Sequence, residues 1–444
     1  MKRLPVMFAL LLLLGSIIAW FWLGGPAITS VPDETGDTSL PSTDLTNGAF
    51  ADWPQFRGPD QGRCSPDQAL PLIWSENSNV VWKIEVPGSG VSSPVVSDGK
   101  IWLTTALDEG RSLRAMAFSQ SSGTLLTAQE VFVLSGSPPK HAVNSYSSST
   151  PVVDKEHVVV AYGPHGIACL RTSDGAIVWK NTLLKFDDEK MGTGASPILT
   201  GDLIVIHCDG VDQRFIAALK KQTGEVVWKT PRSNPTPQSI AARKSFSTPM
   251  LRDWNGAQQL ISSSSYRLFA YDPPTGRELW SVEIPGFCAV PAPLVKEDWL
   301  FVCTGFNKAQ LYAFQSSTSQ DKPPRLMWKL TRSAPLVPSP VLVDNHIYMV
   351  ADNGVASCVE ARTGRLIWNE RIGGTYWASV LSSPGRVYFF AEDGSTTILA
   401  ASPQFRVLAK NQLNGEIMAT PAMTDNALFV RTKTHLYRLQ MNRR

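Results

Sequence analysis

Six cysteines and six histidines are the side chains best equipped for covalent, redox or metal chemistry, and their spacing removes most of it. Cys64, Cys169, Cys208, Cys288, Cys303 and Cys358 never fall within four residues of one another, so CxxC zinc, thiol-redox and haem-attachment motifs are absent. Spacing alone leaves a disulfide between Cys288 and Cys303 open, because one hairpin separates them. His157, His346 and His435 fall in turns between strands. Neither HExxH nor a close HxH links His141, His165 and His207, and no GxSxG elbow occurs. We therefore expect no metal site and assign no catalytic residue. What remains is a set of polar, cationic and aromatic side chains suited to recognition: His141, Asn144, Tyr146, Arg232, Arg243, Lys244, Tyr376 and Trp377.

Those residues sit in stretches that interrupt a repeat, so the repeat decides whether they share a face. Trp179, Trp228, Trp280, Trp328 and Trp368 end similar phrases at spacings of 49, 52, 48 and 40 residues. Four of these phrases place Gly175, Gly224, Gly276 and Gly364 before their tryptophans. Each phrase reads as a strand, a tight turn whose glycine takes a positive φ, and a second strand carrying the Trp. Two more short strands precede it. Four antiparallel strands per unit, with no helical period between units, describe a blade of a β-propeller. Inner-strand phrases begin near Ser93, Thr150, Ser196, Thr248, Ala292, Ser339, Val380 and Thr420, which makes eight blades. Thr127 fills the Trp position of the first. The last unit ends without a fourth strand, whereas residues 79–83, containing Trp82, are a fourth strand with nothing before them. Pairing the two closes the ring. The recurring tryptophans are thus expected to pack between blades.

In such a blade the second-to-third and fourth-to-first connections emerge on one face. Here they are the long ones, covering residues 130–147, 209–214, 230–246 and 373–377. The opposite face has turns as short as Thr223-Gly224. Long loops on a rigid scaffold are where binding residues gather, so the candidate residues are expected to form a protein-binding face.

Lys and Arg total 41 against 38 Asp and Glu, a near-balance that gives no basic surplus for nucleic acid. Residues 4–23 are apolar except for Pro5, Gly15 and Ser16, follow Lys2 and Arg3, and are long enough to span a bilayer. We read 1–27 as a single-pass membrane anchor that places the rest outside the cytoplasm, with a cleaved export signal as the alternative. Residues 28–50 read as a flexible tether and 51–444 as the propeller.

The phrase Ala-x-Asp-x-x-Thr-Gly-x-x-x-Trp, clearest from Ala270 to Trp280, resembles the repeat of the PQQ-like β-propellers. The opening Trp53-Pro54-Gln55-Phe56-Arg57-Gly58-Pro59 is similar to a membrane-signal-bearing bacterial branch of that family. The wider family includes quinoprotein alcohol and glucose dehydrogenases and the outer-membrane assembly propeller BamB. The resemblance to the dehydrogenases implies pyrroloquinoline quinone, Ca²⁺, a catalytic Asp and often adjacent cysteines. No adjacent cysteine pair exists here and no Asp matches by motif, so no cofactor is expected. The expected function is a BamB-like interaction or assembly platform. The alternative is an enzyme acting on a small molecule at the central channel.

Overall fold

The computed structural model describes residues 52–441 except 193, 255–256 and 318. The anchor and tether assigned to 1–50 lie outside the described residues. Among those described, no helix is long and apolar enough to cross a membrane.

Eight four-stranded antiparallel sheets follow one another around a ring. Blade 1 runs Val95–Ser97, Lys100–Leu107, Ser112–Ser119 and Leu125–Val133 from axis to rim. Blades 2 to 7 repeat that order and start at Val152, Ile198, Met250, Leu294, Val341 and Leu381. Blade 8 takes Ala422–Thr424, Ala427–Arg431 and His435–Gln440 from the C-terminus and its outer strand, Val80–Glu85, from the other end of the chain. The two termini pair antiparallel, with Val80 opposite Leu439 and Glu85 opposite His435.

Two chemistries join each blade to the next. Near the axis, the N–H of one inner strand donates to a Ser or Thr hydroxyl of its neighbour. Ser93 donates to Thr150 at 3.1 Å, Thr150 to Ser196 at 2.9 Å, and Ser196 to Thr248 at 3.2 Å. Beyond a gap, Ala292 donates to Ser339, Ser339 to Ser379, Ser379 to Thr420, and Thr420 back to Ser93. The gap falls where Ala292 has no hydroxyl to offer; there Ser247 Oγ reaches Pro291 O instead, at 3.0 Å. The seventh member is Ser379, one residue ahead of the Val380 read from the sequence. Such a bond contributes roughly 1 kcal/mol, and each also satisfies a buried amide.

Toward the rim, the tryptophans staple blades together. Trp179 Nε1 donates to Lys221 O of the next blade at 2.7 Å, Trp228 to Pro273 O at 3.1 Å, and Trp328 to Ala361 O at 3.0 Å. Their rings lie flat on the turn glycines of that next blade. A Cβ on Gly224 would sit 2.4 Å from Trp179, and one on Gly364 would sit 2.6 Å from Trp328. Trp82 and Trp368 bond in the same way to Gln120 O and Ser402 O. Trp280 departs from the pattern: the following turn has no glycine, and its N–H turns to Gln259 Oε1 while its ring meets Trp254.

The segment before the closing strand crosses the short-turn end of the axis. Trp53 pairs with Val96 of blade 1, and Pro54 O accepts from Val153 N of blade 2 at 2.8 Å. Pro59 O accepts from Arg252 of blade 4, Gln61 grips both backbone groups of Val295 in blade 5, and buried Arg57 donates to Pro340 O of blade 6. Gly62 and Cys64 bond to Ser382 of blade 7, and Gln68 accepts from Asn426 of blade 8. Asn411 of blade 7 then holds Trp74 N and Leu72 O. The early chain is a plug seated across the ring.

Candidate functional site

The long connections emerge on one end of the ring, and the structure sorts the expected recognition residues there into interior groups and surface groups. Arg232, Lys244 and Tyr376 correct the expectation of accessible anchors. The Arg232 side chain is 0% exposed, Lys244 is buried with Nζ 2.5 Å from Glu189 Oε2, and Tyr376 is 1% exposed. Tyr146 is half-buried, with its ring over Gly110 and the Lys140 ammonium 5.2 Å from its centroid. Arg243 fastens two loops by donating to Pro237 O and Val211 O, both at 2.9 Å. Asn144 donates to Met191 O at 2.8 Å, tying the connection after blade 1 to that after blade 2. His141 is exposed, and Trp377 is half-buried at the channel mouth.

Arg232 belongs to a polar cluster between blades 3 and 4 that sequence reading missed. Its Nε donates to Asp209 Oδ1 at 3.0 Å, one terminal nitrogen to Tyr271 Oη at 3.1 Å, and the other to His207 Nδ1 and Ser262 Oγ at 3.0 Å each. Ser264 donates to the second Asp209 oxygen, and His207 Nε2 lies 3.1 Å from it. Because Nδ1 accepts from a guanidinium, the fitting tautomer is neutral with its proton on Nε2. Burial and then Arg232 push the His207 pKa below the usual imidazole range, the Asp209 charge opposing. Burial alone would raise Asp209, but Arg232 and His207 outweigh it and hold the carboxyl well below the carboxylate range. The Arg232 guanidinium also stacks 5.0 Å from the Phe269 ring centroid. One buried cation faces one buried anion, both carboxylate oxygens of Asp209 accept hydrogen bonds, and the pairing makes a fastener between the blades. The signal available in the sequence was Leu203–Asp209, an apolar strand broken at alternate positions by His207 and Asp209.

The axial channel is narrow. Above the hydroxyl ring, its mouth is bordered by Val91, Ser148, Gly194, Phe246, Val290, Val337, Trp377 and Met418, one residue from each blade. Phe56 of the plug also lines this cavity, whose volume is about 90 Å³. All six cysteines are free thiols, and burial pushes Cys169, Cys303 and Cys358 up to about 12. Cys288 and Cys303 are not bridged. Among the described residues, no three His, Cys, Asp or Glu side chains gather in a way that would hold a metal ion.

A family model described as outer membrane protein assembly factor BamB matches residues 117–370 and 321–404. A curated relative, the outer membrane protein assembly factor BamB of Shewanella oneidensis, is 23% identical over 319 residues, covering 67% of this chain and 77% of its own length. Among solved structures, BamB from Moraxella catarrhalis superposes with a TM-score of 0.57 at 14% identity, covering 81% of this chain and 99% of that one. Quinohemoprotein alcohol dehydrogenase from Comamonas testosteroni superposes with a TM-score of 0.62 at 11% identity, over 89% of this chain and 82% of that one. At such identities the structural likenesses speak to the fold. The family match spans well over half the chain and agrees with the blade repeat, so the chain belongs to the PQQ-like β-propeller family, under the model described for the assembly factor BamB.

Proposed function

We propose that the protein is an extracytoplasmic assembly platform, held to a membrane by residues 4–23, that presents its long-loop face to another protein. The similarity to an outer membrane assembly factor supports an assembly role, and the loops of that face are braced by Asn144, Arg243 and Lys244. The observation that carries the reading over a channel enzyme is the cavity itself. Small-molecule sites usually occupy about 300–1,000 Å³, whereas this channel mouth offers about 90 Å³ and has Phe56 in its lining. The residues lining it are Ser, Thr, Gly and apolar side chains with no charged group among them, which supports the reading that a quinone bearing several carboxylates with a divalent cation is not held there.

Photoreactive residues placed at His141 and Leu183 on the long-loop face, and at Gln222 on the short-turn face, test this reading in native membranes. A discrete adduct with one membrane-associated protein is expected from the first two positions only. Adducts from Gln222 alone, or none, overturn the platform. Carbonate-washed membranes with N-terminal sequencing test the tether, and a soluble product starting near Ile28 would show cleavage instead. Sustained reduction of an artificial acceptor with pyrroloquinoline quinone and Ca²⁺ would revive the enzyme.

A further inference from the structure

The hydroxyls that join the inner strands have a second capacity that the ring leaves unused. Ser93, Thr150, Ser196, Thr248, Ser379 and Thr420 are buried, and all six line the axial cavity. Each uses one oxygen lone pair to accept the amide of the neighbouring blade. The hydroxyl proton of each has no protein acceptor among the described residues. A hydroxyl bonded in this way still has a donor to offer. Six such donors come from blades 1, 2, 3, 4, 7 and 8 and surround one cavity of about 90 Å³, in which no carboxylate stands.

Two buried guanidiniums stand one layer behind that lining, and neither forms an ion pair among the described residues. Arg431 is 1% exposed and its Nη1 donates to Ser92 Oγ at 2.7 Å and to Ser92 O and Thr104 O at 3.0 Å each. Ser92 lies between Val91 and Ser93, both in the lining. A Cβ on Gly90 would come within 2.6 Å of Arg431 Nη2, so the guanidinium rests on bare backbone beside the mouth. Its Nε has no acceptor, and burial alone pushes its pKa down to about 9. Arg57, next to Phe56 of the cavity floor, donates to Pro340 O, the residue after Ser339 of the hydroxyl ring. Its Nε is also without an acceptor. Burial and then Arg252 push Arg57 down to about 9, and Asp60, which opposes them, is already paired with Arg63 at 2.8 Å. Buried cations are ordinarily paired, because an uncompensated charge in a low-dielectric interior is costly.

We propose that the axial cavity binds one small inorganic oxyanion of the sulfate or phosphate class, held by the inner-strand hydroxyls and balanced by Arg57 and Arg431. The room is that of roughly three waters, enough for such an ion and too little for an organic cofactor. A tetrahedral oxyanion carries acceptor oxygens on every side, so donors converging from around the axis can each meet one. A halide offers a single centre, and water brings protons of its own to a site already rich in donors. In an interior that largely excludes water, the two guanidiniums act on the ion without touching it. The bound ion gives six blades one shared partner at the axis and offsets the unpaired charge. No reaction is done on it, and the site stands whichever face of the ring meets a partner.

The test uses the full chain in an uncharged detergent and Tris chloride of fixed ionic strength. Equilibrium dialysis against radiolabelled sulfate should give one saturable site per chain, with Kd below about 1 mM. Saturation is the readout because sulfate also stabilises proteins by exclusion from their surface, without any stoichiometry. Phosphate should compete at concentrations similar to sulfate, and added chloride at least about tenfold less well. Ser196→Ala, Thr420→Val and Arg431→Gln should each weaken sulfate about tenfold, the scale of one hydrogen bond to a charged group. Thr420→Ser, which keeps the hydroxyl, and Lys220→Ala, at an exposed lysine, should bind as the unaltered protein does. Amide exchange on the unaltered protein needs no variant to fold, and sulfate should slow it in peptides covering Ser93, Ser196 and Thr420. Absence of a saturable site, equal competition by chloride, affinity untouched by the three weakening variants, or slowing confined to other segments overturns the axial site. Neither a membrane nor a partner enters these assays, so their failure is distinct from a failed crosslink.

Discussion

The two ends of the ring are built by opposite rules. At the short-turn end most blades repeat one device, a tryptophan laid on its neighbour's turn and tied to a carbonyl. At the long-loop end the devices vary more: blade 3 meets blade 4 through a charged cluster, blade 4 meets blade 5 through tilted aromatics over paired glycines, and blades 6 and 7 repeat a glycine turn whose carbonyl accepts from Ile372 N and Leu413 N respectively. Repetition marks what closes the ring. Departure from repetition marks what is particular to single blades of this ring.

The contrast breaks most visibly by truncation. Removing residues 1–85 deletes the plug and the outer strand of blade 8, so Tm should fall by more than about 10 °C, if the protein folds at all. Removing 1–50 should leave Tm unchanged; equal melting of both products would refute closure as the keystone. Point changes then compare the ends directly. Trp179→Ala should cost about 3–5 kcal/mol as a buried aromatic is lost. Arg232→Ala should cost about as much for a different reason, since Asp209 is left charged and buried. The discriminating measurement is the double variant Arg232→Met with Asp209→Leu. It should be more stable than either single change, and urea melts showing simple additivity would contradict the fastener.

Acidity separates the ends next. The folded pKa of His207 lies below its ordinary 6.5, so its contribution is complete above that value and fades as pH falls below it. Asp209 is depressed from 3.8, and its contribution fades only below about that pH. Chemical denaturation between pH 7 and 5 should therefore show a slope that His207→Gln flattens and Trp179→Phe leaves alone. The smallest effect is expected at exposed His141, where alanine should shift stability by under about 0.5 kcal/mol. A larger loss would mean that the loop is braced through its imidazole.

Blade number, Trp phrases and the packing of the tryptophans between blades were legible because each rests on local spacing that recurs, whereas the seating of Trp179 on Gly224 of the next blade shows only in the structure. The hydroxyl ring was half legible: Ser93, Thr150 and Thr420 marked the inner strands, but their bonds join residues of different blades. Arg232 was misjudged because loop membership predicts exposure on average, whereas its partners Asp209 and Tyr271 lie 23 and 39 residues away in sequence. The contacts of Tyr266, Phe287 and Phe306 escaped notice because Tyr266 and Phe306 stand singly in short turns, and backbone bonds between Tyr266 and Gly286 and between Phe287 and Phe306 bring them together.

The pairing of Val80 with Leu439 also sets a timetable. The strand that seals blade 8 is made among the first and finds its partner only after the last blade has been made, roughly 360 residues later. Contacts so distant along the chain are slow to form, because the closing entropy is lost before the contact repays it. Until then the ring stands open, with the outer edge of His435–Gln440 and the lone strand bearing exposed Val81 both available to wrong partners. Completion of this propeller is therefore an event of release of the last strand rather than of synthesis of the blades before it. Agents that shield unpaired strands should matter most in the interval just before the C-terminus arrives.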